Sequence, residues 1–239
     1  MTDLKDGSEP PWSGRLLELL LPVIRERIER MGVEGSGAYN FYDTRAKEGR
    51  LLLGYELALA AKLLSCGLDI DRIDEIGSGF GQLVFLLGWN GFKTTGYEAD
   101  GPRSTTATAL RDVLDRVDPE RTRNIRLFNA RFPFFRAPPP GPKSLMVTTN
   151  IVYTSTERER LATLKAMRRY PFVISDVQRC IVHRPEPEQE PEALAMFAEA
   201  GFGAPELFLD LGRGGRYFLF AGSPRRDPVS MLRRYWSVQ

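Results

Sequence analysis

The chain has 239 residues, of which 42% are hydrophobic and 27% charged; this suits one large globular domain, or a domain with an appendage, and excludes disorder throughout. Lysine and arginine number 33 against 31 acids, and the resulting net charge of +2 gives no electrostatic case for nucleic acid as an obligate partner. "MTDLKDGSEPPWSG" lacks a signal-peptide core and no later stretch approaches ~18 unbroken apolar residues, so a soluble, cytoplasmic protein with no membrane partner is expected.

In chain order, "GRLLELLLPVIRERIERMG" (residues 14–32) carries leucine and isoleucine at helical spacing with charges opposite, and predicts a helix ended by Gly32. The following "VEGSGAYNFYDTRAKEGR" (33–50) has no sustained period and reads as a loop or broken helix. "LLLGYELALAAKLLSCG" (51–67) predicts a helix closed by Gly67, and "IDRIDEIG" (70–77) a short strand. Helices are then expected at 81–91, 101–118, 157–169 and 191–202, and strands at 93–99, 124–130, 143–151 and 171–177. "RPEPEQEPEA" (184–193) is an acidic, proline-spaced loop leading into the last of those helices. Two final strands, "PELFLDLG" and "GRYFLFAG", flank a glycine-rich hairpin turn at 213–215. Strands separated by helices define an α/β protein with a mostly parallel sheet covered on both faces; the terminal hairpin makes its last edge antiparallel.

The densest signal is "EIGSGFG", where Gly77, Gly79 and Gly81 occupy the first strand-to-helix turn. In an open parallel sheet that turn lies where ligands bind, and glycine lets the backbone approach one closely. Glu98 ends the next strand, 21 residues after Gly77, at the interval from which an acid reaches the two hydroxyls of a ribose. A nicotinamide-dependent oxidoreductase is one reading of this topology, but the dinucleotide fingerprint G-x-G-x-x-G fails here, because its third glycine falls on Gln82.

The E-x-G-x-G-x-G pattern with an acid closing the second strand resembles the Rossmann-like S-adenosylmethionine-dependent methyltransferases, and the resemblance runs from about residue 50 to 222. It implies a seven-stranded sheet, methyltransferase activity and S-adenosylmethionine as cofactor. By that resemblance Glu75, Gly77, Ser78, Gly79 and Gly81 bind the cofactor, Glu75 and Gly77 near its methionine half and Glu75 toward its ammonium group. Glu98 would then hold the ribose, and Ala99, Asn129 and Ala130 flank the adenine, with Asn129 where the family commonly has aspartate. Thr149 and Asn150, ending "SLMVTTN", would stand beside the methyl donor. "TTNIVY" departs from the N/D-P-P-Y/F signature of nucleobase and glutamine amino-group methylation, with Ile151 and Val152 in place of the prolines. A small-molecule or sugar-like acceptor is therefore expected, methylated at oxygen, nitrogen or carbon. The implied organisation is an N-terminal helix and lid segment over 1–49, the methyltransferase-like domain over 50–224 and a tail over 225–239.

The remaining candidates carry two readings each. His183, the single histidine, is a general base on the acceptor side or an idle loop residue. Tyr39, Phe41 and Tyr42 either close over the cofactor, their faces attracting its sulfonium, or pack the N-terminal helix onto the core. Arg45 and Arg50 are substrate clamps or ordinary surface arginines. Glu98 is a ribose ligand or a solvated strand-end acid, and Asn129 and Asn150 are ligands or loop caps. "MLRRYW" (231–236) packs on its own chain or on a second subunit, the latter giving a homodimer. Cys66 and Cys180 lack metal-ligand spacing and read as buried small hydrophobes; no metal site is expected. The alternative to an enzyme is a non-catalytic domain of the same fold serving as a binding partner or scaffold.

Overall fold

The structure is a computed structural model that describes residues 11–30, 37–49, 52, 54–133, 140–149, 156–177, 189–212 and 215–222. Its elements are α1 (Pro11–Arg30), α2 (Gly37–Lys47), α3 (Gly54–Ser65), β1 (Arg72–Ile76), α4 (Gln82–Trp89), β2 (Lys93–Glu98), α5 (Gly101–Val117), α6 (Pro119–Thr122), β3 (Ile125–Asn129), β4 (Ser144–Thr148), α7 (Glu157–Met167), β5 (Phe172–Ser175), α8 (Glu190–Glu199), β6 (Glu206–Asp210) and β7 (Arg216–Ala221). The strands form one seven-stranded sheet in the order β3-β2-β1-β4-β5-β7-β6. The first five are parallel, and β7 inserts antiparallel between β5 and β6.

Alternation along the buried strands divides the apolar residues between two faces. Ile73, Leu145, Val147, Phe172, Ile174 and Leu219 join one core with α1, α3, α4 and α5. Met146, Val173, Phe218 and Phe220 belong to the other, with Leu164 and Met167 of α7 and Ala193 and Phe197 of α8. The expected fold class is therefore the observed one. The leucines and isoleucines of α1, Leu16, Leu20, Ile24 and Ile28, lie in the first core, so that helix is seated on the sheet domain itself.

Two expectations are corrected. Residues 37–47, read as a loop or broken helix, form the single helix α2. Among its described side chains the inward ones are Tyr42 and Ala46, four apart and thus on one face. The helix is held by the Lys47–Asp43 ion pair at 2.6 Å and by the Arg25 guanidinium of α1, whose Nε donates to the Ala46 carbonyl at 3.0 Å. Cys66 is half-buried rather than buried; its thiol donates to the Leu63 carbonyl, and burial pushes its pKa up.

The second face also buries a charge. Asp74 of β1 is fully enclosed and receives two bonds from the Arg72 guanidinium, at 2.9 and 2.7 Å, and one from the Tyr170 hydroxyl at 2.6 Å. Burial first, and Asp74's negative charge second, push the Tyr170 hydroxyl far above its ordinary pKa. This network joins β1 to the turn between α7 and β5 and anchors the strand from which the glycine turn departs.

Candidate functional site

All three glycines of the turn have a positive φ, 68° at Gly77, 58° at Gly79 and 83° at Gly81, which is the conformation side chains disfavour. The turn's amides are spent on the protein: Gly77 and Ser78 donate to the Tyr97 carbonyl at 2.7 and 3.2 Å, and Gly81 donates to the Ser78 carbonyl at 2.7 Å. Gly79 donates to Glu98 Oε2 at 2.8 Å, while Glu98 Oε1 accepts from the Asp100 amide at 2.8 Å. Glu98 thereby ties the end of β2 both to the glycine turn and to the start of α5, which Asp100 caps by accepting from the Arg103 amide. Each of its oxygens keeps a lone pair for one further donor.

What crowds Gly79 is the protein's own tyrosine. A Cβ at this position would lie 2.4 Å from the Tyr42 hydroxyl, and the Tyr42 ring stacks on Phe80 with centroids 4.0 Å apart. Gln82, at the start of α4, is hydrogen-bonded to that hydroxyl, and the Arg103 guanidinium faces the ring at 6.0 Å from its centroid. Burial outweighs the pull of Arg103 and pushes the Tyr42 hydroxyl up to about 12, so it is neutral at physiological pH. Helix α2 thus covers the turn. On the other side a Cβ at Gly96 of β2 would come within 2.7 Å of the Ser78 hydroxyl and 3.0 Å of Val84, so glycine there lets the loop and α4 close onto the sheet.

Glu75, in register with Gly96 on one side and Val147 on the other, is buried with the first core. Its carboxyl lies against the Thr149 hydroxyl and the Val84 amide, yet Oε2 has no hydrogen-bond partner. Burial, then the negative charges of Glu56 and Glu98, hold its pKa well above the carboxylate range. Glu56, near the start of α3, is itself buried, and its Oε1 accepts from the Tyr55 hydroxyl at 3.3 Å. The Tyr55 ring stacks with Tyr217 of β7, centroids 6.2 Å apart.

The predicted residues Glu75, Gly77, Ser78, Gly79, Gly81, Glu98, Thr149 and Tyr42 are brought together at the carboxyl ends of β1, β2 and β4. Ala99 and Asn129 are exposed next to them, Asn129 in register with Glu98, and the Ala130 amide donates to the Glu98 carbonyl at 2.9 Å. Tyr39 lies in α2 one turn before Tyr42, with its side chain outside the described residues. Asn150, His183, Arg50 and the 231–236 segment also lie outside them. Sequence reasoning missed Glu56, Tyr55, Gln82, Tyr217 and the buried Asp176. Only Asp176 carried a usable signal, an acid directly after the strand "VIS" at the ligand-binding end of the sheet. Among the described residues no cluster suits a metal ion and no helix is long and apolar enough to cross a membrane.

The strand order and the mostly parallel sheet, with helices packed on both faces, define a Rossmann-like α/β protein. Comparison with solved structures narrows that class to the fold of the S-adenosylmethionine-dependent methyltransferases. The chain is similar to the pyocyanin biosynthetic protein PhzM at 13% identity over 89% of this chain and 74% of that one, with a TM-score of 0.55. It is similar also to the methyltransferase domain of the bacterial protein CtHen1 (16% identity, 70% and 96% of the two chains, TM-score 0.54). A third likeness is to the magnesium protoporphyrin IX methyltransferase of Synechocystis with SAH bound (10% identity, 87% and 100%, TM-score 0.53). No family model matches the sequence, and no curated protein matches it.

Proposed function

We propose that the chain is an S-adenosylmethionine-dependent methyltransferase acting on a small-molecule or sugar-like acceptor. The observation that carries the reading is the Glu98 carboxylate, buried at the end of β2 and bonded to the Gly79 amide, beside exposed Ala99 and Asn129. The residues present fit the cofactor: Glu98 retains acceptor capacity for two ribose hydroxyls, and the unpartnered Glu75 Oε2 suits an ammonium group. Bound there, the cofactor supplies an activated methyl group on a sulfonium. The chain's part is to fix the adenosine through Glu98 and Asn129, to keep water out by seating Tyr42 of α2 on Phe80 of the glycine turn, and to hold the acceptor in line. His183 is the candidate base for an oxygen acceptor.

Purified protein incubated with S-adenosylmethionine labelled in its methyl group and a cell extract separated by size tests the reading. Label is expected in the small-molecule fraction. Label confined to protein or nucleic acid would overturn the acceptor class, and no transfer to any fraction would overturn the activity.

A further inference from the structure

The two acids that the methyltransferase reading gives to the cofactor are both nearly enclosed. Glu98 is 7% and Glu75 5% exposed, and Ser78 of the glycine turn and Thr149, which meets Glu75, are buried with them. A molecule that bonds to both carboxyls at once reaches them only when something that covers them moves aside. The sheet does not part there, because β1 is paired with β2 on one side and with β4 on the other. All eight residues of α4 are buried, and α3 sets Leu59, Ala60 and Leu63 in the first core. The described side chains that α2 brings to that core are Ala46, which is enclosed, and Tyr42, which is packed against it. An element with so little buried apolar surface is the one that opens locally at least cost. Tyr42 ties it to the site: its ring stacks on Phe80 and faces Arg103, and its hydroxyl is bonded to Gln82 beside Gly79, close enough to Glu98 to feel that charge. Those partners belong to the glycine turn, α4 and α5, whereas the Arg25 bond to the Ala46 carbonyl joins the far end of α2 to α1.

We propose that α2 is a gate latched by Tyr42 on Phe80 and Gln82, closed in the free and in the cofactor-bound protein alike, and that the chain admits and releases its cofactor only while that latch is undone. The inference rests on the methyltransferase reading and adds to it the step that sets the pace of cofactor exchange. A latch closed in both states has a distinct kinetic mark: weakening it speeds entry and departure by the same factor and leaves affinity where it was. A side chain that merely held the cofactor would instead change affinity, chiefly through departure. One that only filled the core would change neither rate.

Association and dissociation rates of S-adenosylhomocysteine, read by stopped-flow fluorescence on the wild type, Tyr42→Phe and Gln82→Met, test this. Each variant breaks the same hydrogen bond from one side and is expected to raise both rates by ~3- to 10-fold, the worth of one such bond, with a ratio that stays constant. Unchanged rates overturn the proposal. A rise in dissociation alone, with affinity falling in step, also overturns it, because Tyr42 would then be holding the cofactor and not the gate. Should neither variant fold, amide hydrogen exchange of the wild type without ligand still decides: residues 41–47 of α2 are expected to exchange by local opening, well ahead of residues 57–63 of α3. Exchange of α2 no faster than that of α3 refutes the opening. Failure of the folded wild type to bind S-adenosylhomocysteine would sink the methyltransferase reading, while the exchange comparison, which needs no ligand, reports on the opening of α2 by itself.

Discussion

Replacing Gly79 by alanine sets two costs against each other in a way the structure separates. The residue sits at φ 58°, and placing a side chain in this left-handed region costs about 1–2 kcal/mol. The new Cβ would also stand 2.4 Å from the Tyr42 hydroxyl. That hydroxyl is the end of a side chain, but the ring behind it is rigid and stacked 4.0 Å from Phe80, so relief requires moving α2. Overpacking of this kind costs about 1–3 kcal/mol, giving roughly 2–5 kcal/mol for Gly79→Ala. Tyr42→Phe alone loses the hydrogen bond to Gln82, about 0.5–1.5 kcal/mol, and removes the clashing atom. The nearest remaining atoms, Tyr42 Cζ at 3.6 Å and Gln82 Oε1 at 3.7 Å, are at ordinary contact distance. In the Tyr42→Phe background, Gly79→Ala should therefore cost only the backbone part, about 1–2 kcal/mol. Urea unfolding of the four proteins, followed by tryptophan fluorescence with buried Trp89 as a reporter, measures the cycle. Equal costs in both backgrounds would show that Tyr42 does not press on the turn and would refute the covering role of α2.

Two further outcomes follow from the buried acids. Tyr170→Phe removes the 2.6 Å bond to enclosed Asp74 and should destabilise by about 1.5–3 kcal/mol in the same assay; a change within experimental scatter would mean that the network is not closed. Glu75 has its folded pKa raised by burial and by Glu56 and Glu98, so the folded state holds a proton that the unfolded state releases near pH 4.5. Stability of the ligand-free protein should fall as pH rises from there toward the raised pKa, and Glu75→Gln should remove that fall and raise the melting temperature at pH 7–8. A melting profile with the same pH slope in both proteins would contradict the assignment.

The sheet and its glycine turn were legible because buried parallel strands and a strand-ending acid leave local marks: "EIGSGFG" and "GYEAD" sit where the structure has them. Helix α2 was not, because the inward side chains described for it are a tyrosine and an alanine, and they are held by Phe80, Gln82 and Arg25 outside the helix. Glu56 escaped for a related reason. A glutamate beside a helix start reads as a solvated or dipole-matched charge, and only the packing of α3 against α4 and β7 buries it. The reason for Gly79 was also only half legible: a ligand was the natural occupant of the space, and the structure puts the Tyr42 hydroxyl there.

Calorimetric titration with S-adenosylmethionine of the wild type and Glu98→Ala, with retained folding checked by circular dichroism, tests the cofactor assignment most directly. Saturable binding by the wild type, weakened at least ~10-fold by loss of the hydrogen bonds Glu98 accepts from the ribose, is the predicted result. Wild-type protein that gives no heat of binding, or a folded Glu98→Ala variant that binds as tightly as the wild type, would contradict the account.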